Sequence, residues 1–102
     1  MKKSVKATTW KVSAKNEQEC RYRIQIEGVT TKKEEKEVLK ATKDWEPAGS
    51  GYNPKNKERT FLFAKKFPDR DSLLEWAENF PFELEETTPR GNHRKIKTLA
   101  TA

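Results

Sequence analysis

Residues 20–29 read CRYRIQIEGV and alternate strictly. Cys20, Tyr22, Ile24 and Ile26 fall on one side, and Arg21, Arg23, Gln25 and Glu27 on the other. A period of two over this length predicts a β-strand with one covered and one solvated face. Any fold for this chain must therefore supply a layer over one side of a sheet and leave the other side polar.

Neighbouring segments supply the partners. KATTWKVSA alternates too, with Trp10 and Val12 opposed to Thr9 and Lys11. The polar linker KNEQE joins the two runs as an antiparallel hairpin, with Cys20 a small core residue of the second strand. Thr31 followed by Glu34 has the spacing of a capping box, in which each side chain satisfies a backbone N–H at a helix start. Val38, Ala41 or Thr42, and Trp45 then recur at helical spacing. Residues 46–58, EPAGSGYNPKNKE, form a break rich in Pro, Gly and Asn, with room for a short edge strand near Gly51 and Tyr52. ERTFLFAKKF predicts a strand. Asp69 or Asp71 caps a second helix that carries Leu73, Trp76 or Ala77, and Phe80, and Pro81 stops it. FELEETTP alternates again and predicts a last short strand.

The fold class is α+β: a single small domain whose antiparallel sheet has two helices on one face. From Arg21 onward the element order is that of a ferredoxin-like βαββαβ plan, with an extra N-terminal strand. The expected core is Trp10, Val12, Tyr22, Ile24, Ile26, Val38, Leu39, Leu62, Leu73, Leu74, Ala77 and Phe80. Residues 1–7 read as a basic N-terminal arm, 8–88 as the α+β domain and 89–102 as a basic flexible tail.

Hydrophobic residues are 32% of the chain and charged ones 37%, against roughly 45–50% apolar in an average globular domain. Large aromatics offset the shortage, because each buries much area. The net charge of +6 is unevenly spread: both termini are basic and residues 24–89 are mildly acidic. That asymmetry points to nucleic acid or another polyanion, or to solubility alone. Cys20 is the sole cysteine, so no intrachain disulfide and no cysteine metal cluster is expected. The first residues lack the apolar run of a secretory signal, and no run approaches a membrane span. A cytoplasmic protein without a membrane partner follows as the expectation.

Catalytic chemistry has no candidate. His93 is the only histidine and sits in the expected tail; no carboxylate cluster has metal-ligand spacing, and AGSG lacks the Lys of a phosphate loop. The expectation is a protein that is not an enzyme and that uses no metal and no cofactor.

Binding is the remaining class, and ERTFLFAKKF carries it. With Leu62 and Ala64 turned to the helices, Phe61 and Phe63 lie on the open face beside Arg21, Arg23 and Gln25. Rings that stack bases and guanidinium groups that meet phosphates are the ingredients of single-stranded RNA or DNA recognition. The arrangement resembles the RNA recognition motif, which carries a Lys/Arg-Gly-aromatic-small-aromatic pattern on its third strand. RTFLF keeps the Arg and both aromatics but has Thr60 for the Gly and Leu62 for the small residue, while IQIEGV has Gln25 where that family has an aromatic. The other assignment turns Phe61 and Phe63 to the helices as core and leaves Leu62 and Ala64 outside.

The predicted nucleic-acid contacts are Lys11, Arg21, Arg23, Lys55, Lys57, Arg59, Phe61, Phe63, Arg90, Arg94, Lys95 and Lys97. The alternative is a protein-interaction adaptor or inhibitor, of the kind phage and mobile elements encode. Its protein partner would dock on Trp45, Tyr52 and Phe61.

Overall fold

A computed structural model describes residues 5–12, 20–88 and 90–100. The first four residues of the expected arm, the linker at 13–19, the side chain of Cys20 and residues 89, 101 and 102 lie outside the described set.

The elements run β1 (Lys6–Val12), β2 (Cys20–Val29), α1 (Lys32–Ala41), β3 (Glu46–Asn53), β4 (Glu58–Phe67), α2 (Arg70–Ala77), β5 (Glu83–Thr87) and β6 (His93–Ile96). They build a small α+β domain with one six-stranded sheet in the order β3-β4-β2-β1-β5-β6. The sheet is mixed. β1 pairs β2 antiparallel but β5 parallel, so the expected all-antiparallel sheet is corrected, and the strand order is not a clean ferredoxin-like one. The cause lies in the N-terminal hairpin. β2 has one edge on β4 and gives the other to β1, so β5 can join only on the far side of β1, running parallel to it.

Local chemistry sets the helix ends. The Thr31 hydroxyl accepts the Glu34 N–H at 3.1 Å, and Glu34 Oε1 accepts the Thr31 N–H at 3.1 Å, closing the capping box. Burial acts to raise the Glu34 carboxyl. The backbone N–H groups of Thr30 and Thr31 and both their side chains outweigh it and hold the group below its ordinary value. α1 ends at Ala41, before Trp45, and the Thr42 hydroxyl closes back onto the Val38 carbonyl at 2.7 Å. Asp69 caps α2 by accepting the Ser72 N–H at 2.9 Å.

Register decides which face is covered. Ile24 lies opposite Phe63 and Thr9, Ile26 opposite Phe61 and Ala7, Ala7 opposite Leu84, and Leu84 opposite Ile96. All of these belong to the side that Val38 of α1 and Leu73 and Ala77 of α2 cover. Phe61 and Phe63 are therefore on the helix side, stacked at 6.2 Å, with Phe63 only 6% exposed. Leu62 and Ala64 are outside. The base-stacking assignment of the Phe pair is thus corrected: the larger side chains fill the space beneath the helices.

Six rings run through this layer: Tyr22, Phe67, Trp45, Trp76, Phe80 and Phe82, with successive centroids 4.8 to 6.0 Å apart. Edge and tilted contacts of this kind add to area burial, which is how an apolar-poor chain closes its core. Of the expected core, Tyr22, Ile24, Ile26, Val38, Leu73, Ala77 and Phe80 are buried and Leu74 packs against them. Trp10, Val12 and Leu62 are instead half-buried on the open face, and Leu39 is 47% exposed. Among the described residues one charged group is buried in the layer: Glu86 is 7% exposed and accepts from Arg70 Nη2 at 2.7 Å.

The segment expected as a tail also differs. Val5 and Ala7 are buried at the start of β1, in place of an arm. Past the turn at Gly91 (φ +85°), His93–Ile96 pairs with β5, and Ile96 and Thr98 are buried. The Thr98 hydroxyl donates to the Phe82 carbonyl at 2.8 Å and the Leu99 N–H to the Phe80 carbonyl at 3.1 Å.

Candidate nucleic-acid interface

The strand register that defines the core also defines the open face. One row of side chains crosses the whole sheet: Glu46, Ala64, Arg23, Trp10, Thr87 and His93 on β3, β4, β2, β1, β5 and β6. A second row, next to it, runs Gly49, Leu62, Gln25, Thr8, Glu85 and Lys95. Directly opposite residues on adjacent strands have Cβ atoms about 4.5–5.5 Å apart, so Trp10 has Arg23 as its immediate neighbour.

Arg21 extends the site by two residues along β2, on the same face, and lies opposite Lys66 of β4. Arg21 and Arg23 are exposed, and neither makes an ion pair with a described residue. Arg23 sits directly beside the half-buried Trp10 indole. At the other end of the row His93 Nδ1 is 3.7 Å from Glu85 Oε2.

At the β3 end of this row lies a groove of about 520 Å³. Arg21, Arg23 and Lys66 line one side, and Asp44, Glu46 and Pro47 the other. Lys65 also borders it, with its ammonium 5.3 Å from the Phe67 ring centroid.

The sequence-predicted contacts divide by face. Arg21, Arg23 and Lys95 are on the open face. Lys11 is opposite Tyr22, and Arg94 opposite Glu86, so both belong to the register of the covered side, though both are exposed. Arg59 is on that side too: Nη1 meets Glu35 Oε1 at 3.2 Å and the guanidinium lies 5.7 Å from the Tyr52 ring centroid. Lys55 and Lys57 occupy the β3–β4 hairpin loop, with Lys57 in left-handed backbone (φ +56°). Arg90 and Arg94 flank the β5–β6 turn with Thr88 and Asn92, and Lys97 is exposed just past β6. The structure therefore does not gather the twelve residues into one site. It brings Arg21 and Arg23 together and places Phe61, Phe63 and Arg59, like Lys11 and Arg94, in the register of the other side.

Trp10 is the residue the sequence reading missed. Its alternation with Thr9 was visible, but hydrophobicity favours burying Trp10 rather than Thr9. In the structure Thr9 is fully buried and its hydroxyl donates to the Arg23 carbonyl at 2.7 Å. Lys66 was missed as well.

The apolar docking anchors fare differently. Trp45 is 4% exposed, held between Phe67 and Trp76, and Phe61 is half-buried under the helices; of the three only Tyr52 is exposed, at 57%, with the Arg59 guanidinium over its ring. A cleft of about 570 Å³ does open on the helix side, floored by Ala41, Trp76, Phe80 and Pro81. Trp76 is fixed there by its Nε1–H, which donates to the Ala41 carbonyl at 3.0 Å.

Among the described residues no group of His, Cys, Asp or Glu is placed to hold a metal, and no helix is long and apolar enough to cross a membrane. Comparison of the chain with family models, with curated proteins and with solved structures finds no match.

Proposed function

We propose that this protein is a small non-enzymatic module that binds single-stranded RNA or DNA across its open sheet face. The observation that supports the reading is the pairing of Trp10 with Arg23 in one cross-strand row, with Arg21 and Lys66 alongside. An indole offers a face on which any base can stack, and stacking contributes about 1–3 kcal/mol per base. Arginines within one strand spacing of that ring reach the phosphates on either side of the stacked base. Duplex bases are already stacked on each other, so the arrangement favours single strands. The aromatic is Trp10 on a central strand rather than the Phe pair of β4, and the charge comes from β2 and β4.

The two kinds of contact predict two kinds of loss. Trp10→Ala lowers affinity for single-stranded RNA or DNA by about 1–3 kcal/mol and leaves the salt slope unchanged. Arg23→Ala lowers affinity and flattens the log–log salt slope by about 0.7. Filter binding over a salt series reads both. If neither substitution weakens binding, or wild-type protein binds no single strand at low salt, the reading fails. The apolar cleft at Trp76 and Phe80 then becomes the surface on which to seek a protein partner.

A further inference from the structure

The sheet has two outer edges, and they are built differently. β6 is four residues long and presents Arg94 and Lys95, whose charges discourage the addition of another strand. β3 is eight residues long, exposed at every position, and no described residue pairs with its outer edge. A bulge between Pro47 and Gly49 bends its first half, where Pro47 has no N–H to offer. Past the bulge the strand is regular. Gly49, Ser50, Gly51, Tyr52 and Asn53 stay in step with β4 and carry no charge. This uncharged edge, about 17 Å long, is open to a further strand.

We propose that this protein pairs with a second copy of itself through residues 49–53 of β3, antiparallel, about a two-fold axis at Gly51. The pairing is independent of what the open face binds. Opposite residues of an antiparallel pair point to the same side of the sheet, and centring on Gly51 is the register that uses all five residues. On the helix side it sets Ser50 opposite Tyr52 of the second copy, a small side chain beside each exposed ring. On the open side Gly51 meets its own copy and Gly49 meets Asn53. A single copy has no steric use for glycine at position 51. Its backbone is outside the left-handed region, and a Cβ there would meet nothing within 4 Å. Glycine weakens a strand interior and often marks the close approach of another backbone. The two ends of the strand match as well. Asp44 and Glu46 stand with Lys43 at the start, and Lys55 and Lys57 with Glu58 at the hairpin, while Arg59 is met by Glu35. The start is thus net negative and the hairpin net positive, and antiparallel pairing sets unlike ends together. Five residues bury far less than the roughly 1,600 Å² of a standard interface, so the dimer is a weak one.

The test is a charge swap on the axis. Gly51→Lys and Gly51→Glu both fit a single copy, because the space a side chain would take is empty. In the dimer each sets like charges directly opposite, and a mixture of the two sets unlike ones opposite. Sedimentation velocity reads the association, in about 0.15 M salt, where a Debye length of about 8 Å limits the repulsion between two chains of charge +6. Wild type should pass from monomer toward dimer between about 5 and about 500 μM. Each variant alone should associate about tenfold more weakly, and the equimolar mixture should recover wild-type affinity or better. Recovery on mixing also shows that both variants fold. Wild-type protein that stays monomeric across this range overturns the proposal. A dimer indifferent to both substitutions overturns it too, because its interface then lies away from β3. Two weakened variants that do not recover on mixing overturn the two-fold pairing at Gly51.

Discussion

Replacing Phe63 with Ala tests the assignment of faces on β4. Phe63 is 6% exposed, lies opposite the fully buried Ile24 and stacks on Phe61 at 6.2 Å. Truncation of a buried Phe costs about 3–5 kcal/mol, the sum of lost transfer free energy and the cavity left behind. A domain of this size has only about 5–15 kcal/mol in total, so the substitution removes a large share of the stability. At roughly 4–8 °C per kcal/mol, the melting temperature falls by about 12–40 °C. Phe63→Leu keeps most of the volume and should cost about 1–1.5 kcal/mol, a safeguard if the Ala variant does not fold. Leu62→Ala, half-buried on the other face, should cost clearly less than Phe63→Ala. Urea unfolding followed by tryptophan fluorescence gives the midpoints, and an unchanged m-value marks a pure stability effect. A loss at Leu62 larger than that at Phe63 would refute the assignment, and with it the placement of Trp10 on the open face.

Other perturbations follow from single contacts. Thr31→Ala removes the hydroxyl that accepts the Glu34 N–H and should cost about 1 kcal/mol in the urea midpoint. The Glu34 carboxyl is held below its ordinary value in the folded state, so its contribution is complete above the normal carboxylate range. That contribution is lost as pH falls through the folded-state value, and wild type and Glu34→Ala should converge in stability at acid pH. Arg70→Ala strips the partner from the nearly buried Glu86; with the Arg side chain 42% exposed, a loss of about 1–3 kcal/mol is expected rather than the full penalty of a buried pair. Ile96→Ala should destabilise by about 2–5 kcal/mol, because Ile96 is a core residue of β6; a change within error would mean that the C-terminal strand does not contribute to the core.

The parts of the fold legible in the sequence are those set by local chemistry. The alternation at 20–29, the Thr31–Glu34 capping box and a cap by Asp69 or Asp71 each depend on residues within one element; each is present in the structure, the cap being Asp69. What escaped is set by non-local pairing. β4 is apolar on both faces, so periodicity cannot choose between Phe61 with Phe63 and Leu62 with Ala64. The choice follows from the register with Ile24 and Ile26 on β2. β1 misleads for a related reason. Trp10 is more hydrophobic than Thr9, but the register to Ile24 and Glu86 places Thr9 inside. β6 was hidden by its charge. His93, Arg94 and Lys95 are exposed on an edge strand, where Lys and Arg commonly protect a free edge, and only Ile96 and Thr98 carry its burial. For the candidate site, Arg21 and Arg23 were legible because β2 alternates cleanly, whereas Trp10 and Lys66 join them only through pairing with β2.

The three tryptophans provide a direct measurement. Trp10 lies on the open face, Trp45 in the core and Trp76 at the helix-side cleft, so the indole N–H resonances report three separate places in one proton–nitrogen correlation spectrum. Titration with a single-stranded oligonucleotide at low salt should move the Trp10 indole signal and leave those of Trp45 and Trp76 in place. A shift confined to Trp76, or three unmoved signals at saturating oligonucleotide, would contradict recognition through the open sheet face.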